Sequence, residues 1–179
     1  MGVLKFLFIV TILLFPLGEL ARFQFPSAVS VTINNVLTGL VIVVWLIFII
    51  VKKRISTVTK NYLFKPIIIF VAISFLSLLI NSRFLNGAQF LVSFLYLVRW
   101  IIYASLYFMV SGFDNKFKKR IMNLLIISGG LIVAGGFVQY AFYQNLRNLY
   151  YLGWDEHMYR LFSSFLDPNF AGAIFVLFL

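Results

Sequence analysis

The run NVLTGLVIVVWLIFIIVKKR, residues 35–54, decides the fold, because an apolar segment from Asn35 to Val51 closes on three adjacent cations, Lys52, Lys53 and Arg54. Lys and Arg accumulate in the cytoplasmic loops of membrane proteins, so this run reads as a spanning helix whose cytoplasmic end is marked. Composition extends that reading to the whole chain. Hydrophobic residues make up 63% and charged residues 11%, with a mean hydropathy of +1.02, whereas soluble domains carry about 25% charged residues. The 22 Phe, 9 Tyr and 3 Trp suit helices packed in lipid with aromatic ends at the interfaces. The chain has no Cys, which excludes a disulfide framework, a thiolate metal site and a cysteine nucleophile.

Toward the N-terminus, Val3 to Leu17 is a first span carrying Lys5 at its start, and no small-x-small cleavage site follows it as it would in a signal peptide. Pro16 and Gly18 loosen its far end, and Glu19 and Arg22 stand three apart, the spacing of a local ion pair. Phe23 to Asn34 is amphiphilic, contains Pro26, and reads as a segment along the outer surface.

Toward the C-terminus, the basic loop gains Lys60 and Lys65 before Pro66 opens a third span reaching Ile80. Asn81, Ser82, Arg83, Asn86 and Gly87 make a short turn into a fourth span, Ala88 to Val110. A second basic loop, with Asp114, Lys116, Lys118, Lys119 and Arg120, leads to a fifth span, Ile121 to Tyr143. Its glycines, among them Gly129 and Gly136 seven apart, predict close helix contact, not a dinucleotide fingerprint, which needs a strand-turn-helix context. Pro168 to Leu179 is too short to cross a hydrocarbon core of about 30 Å at about 1.5 Å per residue. The expected fold is therefore an all-α, polytopic transmembrane helix bundle with five complete spans and a truncated sixth. Residues 1–179 read as a single transmembrane domain, the N-terminal fragment of a larger membrane protein.

The net charge of +10 is a topology signal and does not point to nucleic acid. Ten of the fifteen Lys and Arg fall in Lys5 and the two basic loops, while Arg22, Arg83, Arg147 and Arg160 fall on the other side with four of the five acids. A cytoplasmic N-terminus satisfies every loop, and Arg160 then faces the outside of the cytoplasmic membrane.

Arg99 lies near the middle of the fourth span, where a charge costs about 2.5–3.5 kcal/mol and is expected to turn toward protein or a wet cavity. Gln89, Ser93, Tyr96, Trp100, Tyr103 and Tyr107 recur on or beside its face. The stripe suits an interhelical seam or a substrate groove. Asp155, Glu156 and His157 are consecutive, so their side chains diverge and do not read as one metal site. Gln144 to Tyr159, rich in Tyr and Trp, reads as an outer loop at the interface.

Chemistry concentrates in Arg160 to Gly172, RLFSSFLDPNFAG. Asp167 is an N-cap residue and Pro168 a first-turn residue, so a helix starts there, with exposed N–H groups and a positive dipole end. Arg160, Ser163 and Ser164 precede it and form with it a candidate phosphate site. The plainer reading is that Arg160 meets lipid headgroups and Asp167 only caps.

The pattern Arg160, Ser163, Ser164, Phe165, Pro168, Asn169, Gly172, entering a membrane helix after five earlier ones, resembles the O-antigen ligase and polymerase family of bacterial membrane glycosyltransferases. The family often carries Gly where Ser163 stands. The resemblance implies an enzyme of polysaccharide and lipopolysaccharide biosynthesis in the cell envelope. It would move glycan from a polyprenyl-diphosphate carrier to a lipid or glycan acceptor hydroxyl, outside the cytoplasmic membrane. It implies no metal and no cofactor, arginines holding the diphosphate, and a base in a later outer loop beyond these residues, so the fragment alone is expected to be inactive. The candidate substrate-binding residues are Arg160, Ser163, Ser164, Asn169 and Arg99. The competing expectation is a non-enzymatic polysaccharide flippase or a structural membrane protein, for which Arg99 on a Tyr-lined face is suited.

Overall fold

In the computed structural model, which describes residues 1–24 and 30–178, five helices are long and apolar enough to cross a membrane. α1 (Gly2–Leu14) stops just before Pro16, and a 3-10 bridge, Phe15–Ala21, carries the chain on. Proline lacks the backbone donor that the next α-helical bond needs, which is why the α-helix gives way to the 3-10 bridge. Gly18 kinks the bridge at φ +52° and ψ −128°. Glu19 and Arg22 form the expected ion pair at 3.3 Å.

The fold is not wholly helical. β1 (Arg22–Gln24) pairs antiparallel with β2 (Ser30–Thr32), Phe23 opposite Val31. This hairpin replaces the surface-lying segment expected over Phe23 to Asn34, and residues 25–29, with Pro26, lie outside the described residues. β2 runs straight into α2 (Ile33–Val51), whose Asn35 N–H is capped by the Thr32 hydroxyl at 3.3 Å. The helix thus begins slightly earlier than its apolar run.

A short helix, α3 (Ile55–Thr59), lies in the first basic loop, and α4 (Phe64–Asn81) follows with Pro66 in its first turn. α5 (Gly87–Ser111) opens with a capping box: Asn86 accepts from Gln89 N–H at 2.8 Å, and Gln89 accepts from Asn86 N–H at 3.0 Å. Asp114 caps α6 (Asn115–Phe142), accepting from Phe117 N–H at 3.1 Å. Asp167 caps α7 (Pro168–Leu177), which starts where Asp167-Pro168 predicts.

The largest core joins α1, α2, α5 and α6 through Leu4, Phe8, Val41, Trp45, Met109 and Phe117. Ser128, buried on α6, donates to the Ile12 carbonyl at 2.8 Å and ties α6 to α1. Gly129 and Gly136 give the close contact expected of them. A Cβ at Gly129 would meet the Phe178 ring at 2.4 Å, and one at Gly136 the Leu161 side chain at 2.6 Å.

α4 is different. It has no buried residue and rests along α5, with Phe70 against Trp100 at 4.4 Å. Phe70, Ile73 and Ile80 stay exposed, an apolar surface that water does not tolerate and lipid does.

The basic loops share one end of the bundle, where Lys5 pairs with Asp114. The bridge, the hairpin and the long connection from Tyr143 to Asp167 share the other.

Candidate functional site

The connection after α6 is a folded structure. Leu146, Phe162 and Leu166 form a small core of their own, with Leu149 and Trp154 against it. Backbone bonds from Leu146 N–H to the Glu156 carbonyl (2.8 Å) and from Tyr159 N–H to the Gln144 carbonyl (2.9 Å) close the loop on itself. Glu156 pairs with Arg147, which separates its side chain from Asp155 and His157.

Gln139, one turn from the end of α6, fastens the start of the motif. Its amide oxygen accepts from Phe162 N–H (2.9 Å) and Ser163 N–H (3.1 Å), and its amide nitrogen donates to the carbonyls of Tyr143 (2.7 Å) and Arg160 (3.4 Å). One side chain thus uses its full hydrogen-bonding capacity on the backbone around Arg160. Sequence reasoning missed this residue. The available signal was an amide near the far end of an apolar helix, which must find partners once buried.

The motif backbone is unusual. His157, Tyr159, Ser163 and Leu166 all take left-handed conformations with φ between +44° and +56°, each at a cost of about 1–3 kcal/mol. At Ser163, φ is +50°, a conformation that glycine adopts freely.

The candidate residues separate into distinct roles. Ser163 is buried and its hydroxyl donates to the Ile132 carbonyl at 2.8 Å, so its donor is spent on packing. The Ser164 hydroxyl is buried with no hydrogen-bond partner among the described residues. Asn169 is exposed in the first turn of α7. Arg160 is exposed, and among the described residues its guanidinium makes no ion pair or hydrogen bond.

The helix start is not an open anion site. One Asp167 carboxylate oxygen accepts from both Asn169 N–H (2.7 Å) and Phe170 N–H (3.2 Å), and this corrects the expectation that those N–H groups await a phosphate. The other arginines at this end are engaged. Arg22 holds Glu19 and lies 5.2 Å over the Trp154 ring, Arg147 holds Glu156, and Arg83 lies 4.8 Å over Phe84.

Gly18 supports the motif from the opposite side. Its ideal Cβ would fall 2.6 Å from the Ser164 carbonyl oxygen, so the bridge after α1 and the Ser163–Phe165 turn pack backbone to backbone.

Arg99 does not share this site. It lines a separate cleft of about 210 Å³ between α5, α2 and β2, with Asn35, Tyr96 and Tyr103. The polar stripe on α5 also divides. Ser93 and Trp100 line a second groove against α4, so the stripe serves two seams.

No family model, no curated protein and no solved structure matches this chain.

Proposed function

We propose that this chain supplies the diphosphate-holding part of a membrane glycosyltransferase of the O-antigen ligase and polymerase kind, acting on a polyprenyl-diphosphate-linked glycan at the outer face of the cytoplasmic membrane. The observation that carries the reading is the Arg160 loop. A guanidinium with no carboxylate partner among the described residues projects from a backbone that Gln139 pins and that holds a left-handed turn at Ser163. Strain of this kind persists where surrounding structure enforces it, and it collects at binding sites.

In the reaction, an acceptor hydroxyl oxygen bonds to the anomeric carbon while the bond from that carbon to the diphosphate oxygen breaks. The electron pair leaves with the diphosphate, and the hydroxyl proton passes to a base expected outside these residues. Arg160 matches two phosphate oxygens with its planar fork and stabilises the charge that develops on them. Arg147 is less suited, because Glu156 already neutralises it.

The test is glycan transfer by the whole protein. Arg160→Lys keeps the charge and loses the fork, and is expected to lower transfer about a hundredfold with membrane insertion unchanged. Arg147→Gln is expected to retain transfer. Ordinary transfer by Arg160→Ala would overturn the assignment and leave Arg160 as a headgroup contact.

A further inference from the structure

The two connections at the basic end form one surface. Val58 and Phe64, on either side of the α3–α4 turn, pack on the main core that also holds Phe113 and Phe117 at the start of α6, and the Phe64 and Phe108 rings lie 6.3 Å apart. Residues 52–65 carry Lys52, Lys53, Arg54, Lys60 and Lys65 and no acid. All five are exposed, and among the described residues their side chains make no ion pair or hydrogen bond. Lys116, Lys119 and Arg120 add three more exposed cations, and the acid nearest them, Asp114, is held by Lys5. At the opposite end, by contrast, Glu19 and Glu156 neutralise Arg22 and Arg147.

Depth decides what such a surface meets. From Ile121 to the end of α6 at Phe142, the helix measures about 33 Å at about 1.5 Å per residue, enough for a hydrocarbon core of about 30 Å. Its first turn and a half, with Lys116, Lys119 and Arg120, therefore stands in the headgroup layer. α2, with 19 residues, is about as long as that core, so Lys52 to Arg54 follow at the boundary. Exposed apolar side chains adjoin the cations: Val51 before Lys52, Ile55 after Arg54, and Ile69 one turn beyond Lys65 in α4, toward the middle of the bundle. A soluble acidic partner would leave this apolar border in water. An anionic lipid covers both parts, with its phosphate on the cations and its acyl chain over Ile69.

We infer that the basic end binds the headgroup phosphates of anionic glycerophospholipids in the leaflet it adjoins. Clustered Lys and Arg beside a spanning helix attract such a surface together, and the attraction falls off within a Debye length. The inference rests on the chain being a membrane protein and is independent of glycan transfer, because Arg160 stands at the opposite end.

The experiment is native mass spectrometry of the delipidated protein in detergent, titrated with phosphatidylglycerol and with phosphatidylcholine of identical acyl chains, so that only headgroup charge differs. The wild type should prefer phosphatidylglycerol by about tenfold or more. Replacing all five cations of residues 52–65 by Gln should remove most of that preference. Lys116→Gln, Lys119→Gln and Arg120→Gln together should remove a smaller part, and Arg83→Gln at the opposite end should leave it unchanged. Raising the ionic strength from about 0.1 M to about 1 M should weaken the preference of the wild type, which decides the matter if the fivefold variant does not fold. Equal affinity of the wild type for the two lipids would overturn the inference, as would a preference that neither salt nor the substitutions reduce. So would displacement of the lipid by inorganic phosphate, or by polyglutamate at equal charge, in favour of a soluble anion or an acidic polypeptide.

Discussion

The two ends of this bundle are held together by different means. At the basic end, the connection into α6 is closed mainly by local groups, since Asp114 caps α6 and Lys118 donates to the Ser111 carbonyl at 2.9 Å, and one remote pair, Lys5 with Asp114, is added to them. At the opposite end, a long connection is fixed by contacts remote in sequence, from Gln139 to Ser163 and from Gly18 to Ser164. The basic end is punctuated, whereas the opposite end is folded. Local caps contribute about 1 kcal/mol each and tolerate replacement. A remote clasp fixes several groups at once and tolerates little, which is what holding a strained backbone requires.

The largest effect is expected at Gly18. An alanine there would take φ +52° with a Cβ 2.6 Å from the Ser164 carbonyl oxygen. Backbone strain and overpacking together should cost about 3–5 kcal/mol, a large share of the roughly 5–15 kcal/mol that keeps a domain folded. A thermal melt of purified Gly18→Ala in detergent measures this. An unchanged melting temperature would mean that the bridge and the motif turn are not packed as described, and the contrast between the ends would fail.

Gln139→Leu comes next. It keeps the side-chain bulk but leaves the Phe162 and Ser163 N–H groups without their acceptor, at about 1–3 kcal/mol for each buried group. The loss should be local. Hydrogen exchange is expected to rise over residues 160–166 while the α1–α2–α5–α6 core keeps its protection. Uniform loosening of both ends would show that the clasp does not act on the loop alone.

Legibility in the sequence follows the same division. Spans, turns and the α7 start were readable because hydropathy, Pro and Asp act within a few residues of themselves, as Asp167 does on Asn169 and Phe170. The Glu19–Arg22 pair and the close packing at Gly129 and Gly136 were readable for the same reason, spacing on one element. The Gln139 clasp was not, because three of its four partners stand 21 to 24 residues away along a loop without periodicity. The β1–β2 hairpin escaped because residues 23–34 show amphiphilicity but no turn pair that fixes a register. Within the motif, the helix start at Pro168 and the Asp167 cap were legible, because both act within the next three residues.

The smallest effect belongs to the basic end, at Asp114. The Lys5 ammonium, and then the Phe117 N–H, hold the Asp114 carboxyl below the ordinary carboxylate range. A carboxyl whose folded value is depressed adds stability above its unfolded value, near pH 4, and loses that contribution as pH falls through the folded value. Asp114→Asn removes the charge but retains a capping side chain. The variant should therefore melt slightly below the wild type at pH 7, and the gap should close as both are acidified below pH 4. Because the pair is exposed, added salt should shrink the gap at pH 7 as well. A gap as large as that for Gln139→Leu, or one that widens in acid, would mean that the basic end depends on this pair as the opposite end depends on its clasp.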